Sequence, residues 1–211
     1  MFTGIVQALV EVQTIDHGED LSRLTLALGS LGQDLQLGAS VAINGTCLTV
    51  TAHQAGLTKF DIIKETLRTT NLHGLASTAK VNVERSFKVG DEVGGHIVSG
   101  HVSTTAELVE VQHAGNDRVL TFAVAPKWLN FILHKGYVAL DGASLTISNT
   151  DRANSTFSVS LIPETIERTT LGLIVIGDFV NVEIDSQTQA IVETVERVLA
   201  ERPNLLQTGS D

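Results

Sequence analysis

The chain contains one cysteine, Cys47, so no disulfide can form within it, which fits a reducing, cytoplasmic setting. Aromatics make up 4% of its 211 residues, leaving few platforms on which single-stranded nucleic acid could stack. Basic residues are scarce as well. Fourteen Lys and Arg against 24 Asp and Glu give a net charge of −10, the wrong sign for nucleic acid or an anionic membrane as a partner. No uncharged apolar run approaches a bilayer span, since LGLIVIGDFV is short and interrupted by Asp178. The opening MFTGIVQALVEVQ has no basic n-region, so no signal peptide is expected. The seven histidines show no metal-ligand spacing, and His96 and His101, five apart on an expected strand, would face opposite ways. GGHIVSGH is rich in glycine but lacks the spacing and strand-to-helix context of a phosphate loop. What remains is a soluble globular chain, long enough for one large domain or two small ones.

The chain is written twice. MFTGIV at 1–6 lies over IVSGHV at 97–102, LTLAL at 24–28 over LTFAV at 120–124, and VAINGTCLTV at 41–50 over VALDGASLTI at 138–147. Phe60 matches Phe157, KETL at 64–67 matches PETI at 163–166, and VNVE recurs at 81–84 and 180–183. The offset drifts only from 96 to 99, far longer than a solenoid or propeller period, so each copy is a complete small domain. Within each copy, short β-branched runs alternate with turn residues. Asn44-Gly45 and Asp141-Gly142 are hairpin signals, because a tight primed turn needs positive φ at both central residues. The prediction is all-β: two homologous six-stranded Greek-key barrels in tandem, at 1–96 and 97–185, with KVGDEVGGH at 88–96 connecting them. The register around the polar SNTDRANST at 148–156 stays open.

From Ser186 the period changes from two to 3.6. SQTQAIVETVERVLAERP places Ile191, Val195 and Val198 on one helical face, with Ser186 and Gln189 as a capping box and Pro203 as the stop. A helix over 186–203 follows, with a frayed tail at 204–211. Its apolar stripe either packs on its own barrel or joins another subunit.

Differences between aligned copies point to chemistry. Gly4 and Gly100, Val6 and Val102, Thr49 and Thr146, Glu65 and Glu164, and Thr66 and Thr165 agree, as fold or shared binding requires. Ile5 aligns with His101, Cys47 with Ser144, Ser86 with Asp185 and Ser40 with Tyr137. Two like pockets in unlike surroundings would suit a reaction between two similar molecules. His101 is either a satisfied structural histidine or an acid–base group; Cys47 is either a small buried hydrophobe or a reactive thiol. Asp185 either begins the C-terminal helix, where a carboxylate is favoured, or acts chemically.

MFTGIV, NGTCLTV at 44–50, KETLRTTNL at 64–72, GGHIVSGHV at 94–102, DGASLT at 141–146 and LIPETIERTTLG at 161–172 closely resemble the riboflavin synthase family and its tandem lumazine-binding repeat. The likeness runs from Met1 to about Ala200. It implies a transferase that dismutates two molecules of 6,7-dimethyl-8-ribityllumazine by moving a four-carbon unit, the last step of riboflavin biosynthesis. The products are riboflavin and 5-amino-6-(D-ribitylamino)uracil, and no metal or cofactor takes part. It also implies a homotrimer joined through the C-terminal helix, a working site between the first barrel of one subunit and the second of a neighbour, and possible association with a lumazine synthase. Carried over by motif, the first-barrel pocket uses Gly4, Ile5, Val6, Cys47, Leu48, Thr49, Asp61, Ile62, Ile63, Lys64, Glu65, Thr66, Gly100, His101 and Val102. The second uses Lys135, Ser144, Leu145, Thr146, Leu161, Ile162, Pro163, Glu164, Thr165 and Ile166. Ser40, Cys47, His101, Thr146 and Asp185 are the implied reacting groups, with Phe2 contributing from the N-terminus. The rival reading is a non-catalytic lumazine- or flavin-binding protein of the optical-antenna kind.

Overall fold

The computed structural model describes residues 1–115 and 117–202. Pro203 and the expected tail at 204–211 lie outside the described residues. The first repeat forms β1 (Ala8–His17), β2 (Leu21–Ala27), β3 (Ser40–Ile43), β4 (Thr46–Gln54), β5 (Leu57–Ile63) and β6 (Lys80–Arg85), with helix α1 (Lys64–Thr69) after β5. The second forms β7 (Thr104–Ala114), β8 (Asp117–Ala123), β9 (Tyr137–Leu140), β10 (Ala143–Asp151), β11 (Thr156–Leu161) and β12 (Phe179–Ile184), with α2 (Pro163–Arg168) after β11. The first barrel closes in the order β1-β2-β5-β4-β3-β6, and the second repeats that order as β7-β8-β11-β10-β9-β12. Closure leaves no free strand edge. Bulges after Val12 and Val50 recur after Leu108 and Ile147, and supply the local bend that closing so small a sheet requires.

Alternation along each strand decides what faces the core. On β4, Leu48 and Val50 point inward while Cys47 and Thr49 point out; on β10, Leu145 and Ile147 point inward while Ser144 and Thr146 point out. Phe60 and Phe157, the aligned pair, are both buried, at 0% and 1% exposure. Each such large side chain contributes about 1.5–3 kcal/mol by leaving water. The polar stretch at 148–156 is a hairpin pairing Asn149 with Ser158 and Asp151 with Thr156. The Asp151 carboxylate accepts from the amides of Ala153 and Asn154 at 2.9 and 3.2 Å and so closes its turn.

Both expected primed turns form, with φ of +43° and +73° at Asn44 and Gly45 and +44° and +81° at Asp141 and Gly142. The two turns pack back to back. A Cβ on Gly45 would lie 2.6 Å from the Gly142 amide nitrogen, so the barrels can approach only through glycine. Around them an asparagine network crosses the interface. Asn82 Nδ2 donates to the Asp141 carbonyl at 2.9 Å, and Asn181 Nδ2 donates to the Asn44 carbonyl at 2.8 Å. These two asparagines occupy the same place in the two VNVE strands.

The C-terminal helix, α3, spans Ser186–Glu201, and its cap is not the Ser186 of the capping box. Asp185 is the cap: its Oδ2 accepts from the Thr188 amide at 2.9 Å and from its hydroxyl at 2.7 Å. A carboxylate is the stronger acceptor and complements the helix dipole, so it displaces the Ser186 register. No residue of this helix is buried, and Ile191 and Val195 are 65% and 51% exposed. The stripe does not pack on the helix's own barrel.

Candidate functional site

Two crossed arms build the site. The segments at 1–6 and 97–102, which precede the first strand of each barrel, run antiparallel and exchange hydrogen bonds between Phe2 and Val98 at 2.7 and 3.0 Å. Beyond that bridge each arm reaches the other barrel. The Gly100 carbonyl accepts from the Cys47 amide at 2.9 Å, and the Gly4 carbonyl accepts from the Ser144 amide at 2.7 Å. Contact this close excludes a side chain: a Cβ on Gly100 would lie 2.5 Å from Cys47 Cβ, and one on Gly4 would lie 2.6 Å from Ser144 Cβ. Gly4, Ile5 and Val6, expected at the first-barrel pocket, lie beside Ser144 of the second barrel, because the chain crosses the interface before entering β1; Ile5 also borders a groove with Glu84 and Ser86 of the first barrel.

A buried glutamate ties down each arm. Glu84 on β6 accepts from the amide and hydroxyl of Thr3, at 2.6 and 2.8 Å, and from the Gly4 amide. Glu183 on β12 accepts from the amide and hydroxyl of Ser99, at 2.6 and 2.7 Å, and from the Gly100 amide. Burial pushes both carboxyl groups above their ordinary pKa, against the downward pull of these donors. The sequence reading missed both, although their identity in the paired VNVE motifs was the available signal.

Each barrel presents an outward face from equivalent strands. On the first, Ser40 pairs with Thr49 and Ala42 with Cys47, with Glu84 and Ser86 alongside. On the second, Tyr137 pairs with Thr146 and Ala139 with Ser144, with Glu183 and Asp185 alongside. Cys47 is half-buried on this face rather than sunk in the core, and His101 is exposed on the arm beside it. The implied reacting groups therefore divide: Ser40, Cys47 and His101 at the first barrel, Thr146 and Asp185 at the second. Phe2 is 1% exposed and packs with Ala42, Val98 and Ala139 between the barrels, so it supports the arms rather than facing a pocket.

The second-barrel face opens onto a cavity of about 260 Å³ lined by Gly4, Ile5, Val6, Ala143, Ser144, Glu164, Thr165, Arg168 and Thr169. Arg168, another residue the sequence reading passed over, pairs with Glu164 across one turn of α2. Ile162 is 57% exposed beside this helix and Pro163 begins it, whereas Leu161 is in the core and Ile166 packs against it. Leu145 also points into the core, and the Lys135 amide donates to the Ile147 carbonyl at the turn before β9. At the first barrel Ile63 is 60% exposed, while Leu48 and Ile62 are core residues that can offer a ligand only their backbone. Asp61 is held by Arg23 in a two-point ion pair of 2.7 and 3.1 Å, and Lys64 reaches Asp20 at 3.5 Å. Glu65 is exposed and Thr66 half-buried on α1, in the places that Glu164 and Thr165 take on α2. No helix of the described residues is long and apolar enough to cross a membrane.

Paired barrels with arm-completed faces, rich in backbone amides and hydroxyls, make a duplicated small-barrel protein with two equivalent outward faces. The lumazine binding domain family matches the chain twice, over residues 3–86 and 99–185. Riboflavin synthase of Escherichia coli is 48% identical over the full length of both chains. The Buchnera aphidicola (subsp. Baizongia pistaciae) enzyme of that name is 42% identical, covering 97% of this chain and 96% of its own. Among solved structures, LumP complexed with riboflavin superposes with a TM-score of 0.80 at 23% identity, covering 88% of this chain and all of that one. LumP with 6,7-dimethyl-8-(1'-D-ribityl) lumazine gives 0.78 at 22%, covering 87% and 98%, and both show the shared fold. The chain belongs to the riboflavin synthase family of lumazine-binding enzymes.

Proposed function

We propose that this enzyme takes two molecules of 6,7-dimethyl-8-ribityllumazine and transfers a four-carbon unit from one to the other. The observation that carries the reading is one chain holding two like sites with unlike polar groups, in a sequence 48% identical to a riboflavin synthase end to end. The donor and acceptor are chemically the same molecule, so an enzyme needs two related pockets that treat them differently. The ring system itself makes the C7-methyl protons acidic, and C7 of the partner molecule is open to addition by a hydroxyl, a thiol or water. The chief task left to the protein is antiparallel placement of two bulky rings, which can be worth roughly 7–11 kcal/mol in well-oriented cases. A near-neutral, polyhydroxylated ligand is suited by strand amides and Thr hydroxyls, and the acidic surface does not oppose it.

The test is incubation of the purified protein with the lumazine alone. Riboflavin and the pyrimidine appearing in equal amounts support the dismutation; tight binding with the lumazine unchanged favours the non-catalytic reading. Within this proposal His101 and Cys47 act at the reacting centre. His101→Gln and Cys47→Ser are expected to lower kcat by about 10²-fold or more, the lower end of the usual 10²–10⁴ range for a lost proton-transfer group, with ligand affinity retained. Full kcat in either variant removes that residue from the mechanism.

The working site lies between the first barrel of one subunit and the second barrel of a neighbour, in a trimer joined by α3. The unburied stripe of Ile191, Val195 and Val198 supports this, because exposed apolar surface of that kind favours assembly. Val195→Glu is expected to convert the assembly to monomers in light scattering and to abolish turnover while riboflavin still binds. A trimer that survives the substitution refutes the helix-mediated assembly. The single cysteine fits action in the cytoplasm, and association with a lumazine synthase is checked by co-sedimentation.

A further inference from the structure

His96 belongs to neither copy's aligned motif, because its counterpart 96 residues earlier would precede Met1. It is 9% exposed, and its Nδ1 makes a 2.7 Å hydrogen bond with Ser144 Oγ. Its ring stacks on Tyr137, with centroids 5.2 Å apart and planes 16° from parallel. Asp185 is close enough for its charge to act on the ring. Burial lowers the His96 pKa and outweighs that attraction, so the imidazole is neutral near pH 7. Gly95 makes the approach possible, since a Cβ there would stand 2.6 Å from Ser144 Cβ and 2.4 Å from the Thr3 carbonyl oxygen.

No member of this cluster has its like in the first copy. Ser144 replaces Cys47, Tyr137 replaces Ser40, Asp185 replaces Ser86, and His96 has no counterpart at all. The first barrel closes in the same strand order without any of them, so the fold does not demand them. Yet they converge at one place, and Ser144 lines the second-barrel cavity.

We propose that His96 is a positioning residue of the second-barrel site. Its bond to Ser144 fixes the direction of that hydroxyl toward the ligand, and so sets the affinity of this site alone. A free hydroxyl rotor samples several directions; one held at Nδ1 offers the ligand a single arrangement of donor and lone pairs. The first barrel, with Cys47 in the Ser144 place, lacks this device, which makes the two sites unequal for one molecule. The inference rests on the lumazine reading above.

The experiment is a fluorescence titration of the full-length protein with riboflavin, in wild type, His96→Phe, Ser144→Ala and the double variant. His96→Phe keeps a ring to stack on Tyr137 and loses the hydrogen bond. It is expected to weaken one class of site about tenfold, the worth of one well-placed hydrogen bond, and to leave the other unchanged. Ser144→Ala should match it, and the double variant should be no worse than either. His96→Asn, whose amide can replace Nδ1, should restore affinity, whereas a purely structural role would not distinguish Asn from Phe at equal melting temperature. Additive losses in the double variant, unchanged binding in His96→Phe, or equal weakening of both sites overturns the proposal. Wild-type protein that neither binds riboflavin nor converts the lumazine overturns the functional reading, and this inference with it.

Discussion

Replacing Gly100 by alanine is expected to reduce turnover about 100-fold, the scale of loss when reacting groups are displaced by about 1 Å. Gly100 sits at φ +83° with its carbonyl on the Cys47 amide and its own amide on Glu183. A Cβ there meets Cys47 Cβ at 2.5 Å and Phe2 Cε2 at 2.9 Å, and neither can retreat, because Phe2 is packed between the barrels. The arm must therefore lift, carrying His101 away from the first-barrel face. Gly56→Ala is the control. It has a similar φ of +78° with nothing within 4 Å of the added carbon, so it shares the backbone strain without the clash. Gly56→Ala should cost about 1–2 kcal/mol of stability and leave kcat unchanged. Steady-state kinetics and thermal melting of both variants decide the matter. Wild-type kcat in Gly100→Ala would show that the arm is no part of the working site.

Asp141→Asn is expected to stabilise the protein above neutral pH. Asp141 is wholly buried at the turn between the barrels, where desolvation raises its pKa from 3.8 to about 7. Its Oδ1 accepts from Asn71 Nδ2 at 2.9 Å and from the Asn181 amide at 2.8 Å, and its Oδ2 accepts from the Thr170 hydroxyl at 3.1 Å. These partners are all uncharged and only partly offset the cost of burying the anion. A raised carboxyl pKa means that the folded state holds the proton more tightly than the unfolded state. Stability from this group is therefore greatest below pH 3.8, falls as pH rises toward 7, and stays low above it. The loss amounts to an upper bound of about 4 kcal/mol at pH 8, from a shift of roughly three units. Asparagine already occupies the equivalent turn position at residue 44, so the amide fits the local geometry. Urea denaturation at pH 5 and pH 8 should show the variant gaining on wild type at the higher pH, with the two converging toward pH 4. Parallel curves across that range would mean that Asp141 is not the titrating group.

The repeat made the barrels legible, because closed strands need only alternation and turn chemistry, both of which are local. Leu48 and Val50 alternate with Cys47 and Thr49 in the sequence as they do in space. The primed turns at Asn44-Gly45 and Asp141-Gly142 were legible for the same reason. The exchange of arms was not. An arm that starts one barrel and completes the other is a long-range choice, made through the Phe2–Val98 bridge and two glutamates 81 and 84 residues distant from the groups they hold. The same limit hid His96, whose importance lies in Ser144, 48 residues away. The helix cap was a local choice between two readings the sequence offered, Ser186 and Asp185, and the carboxylate takes it.

From its sequence alone this protein is a duplicated all-β chain with a C-terminal amphipathic helix, and its motifs resemble those of one enzyme family. Periodicity, turn residues and repetition are enough for that, since each is a property of neighbouring residues. Only the tertiary structure decided which barrel each arm reaches, that Phe2 is packed between the barrels, and that the helix leaves its stripe uncovered. Those outcomes depend on which surfaces meet after the barrels close, and the contacts that select them join residues about 50 to 140 positions apart, from His96 and Ser144 to Asn44 and Asn181.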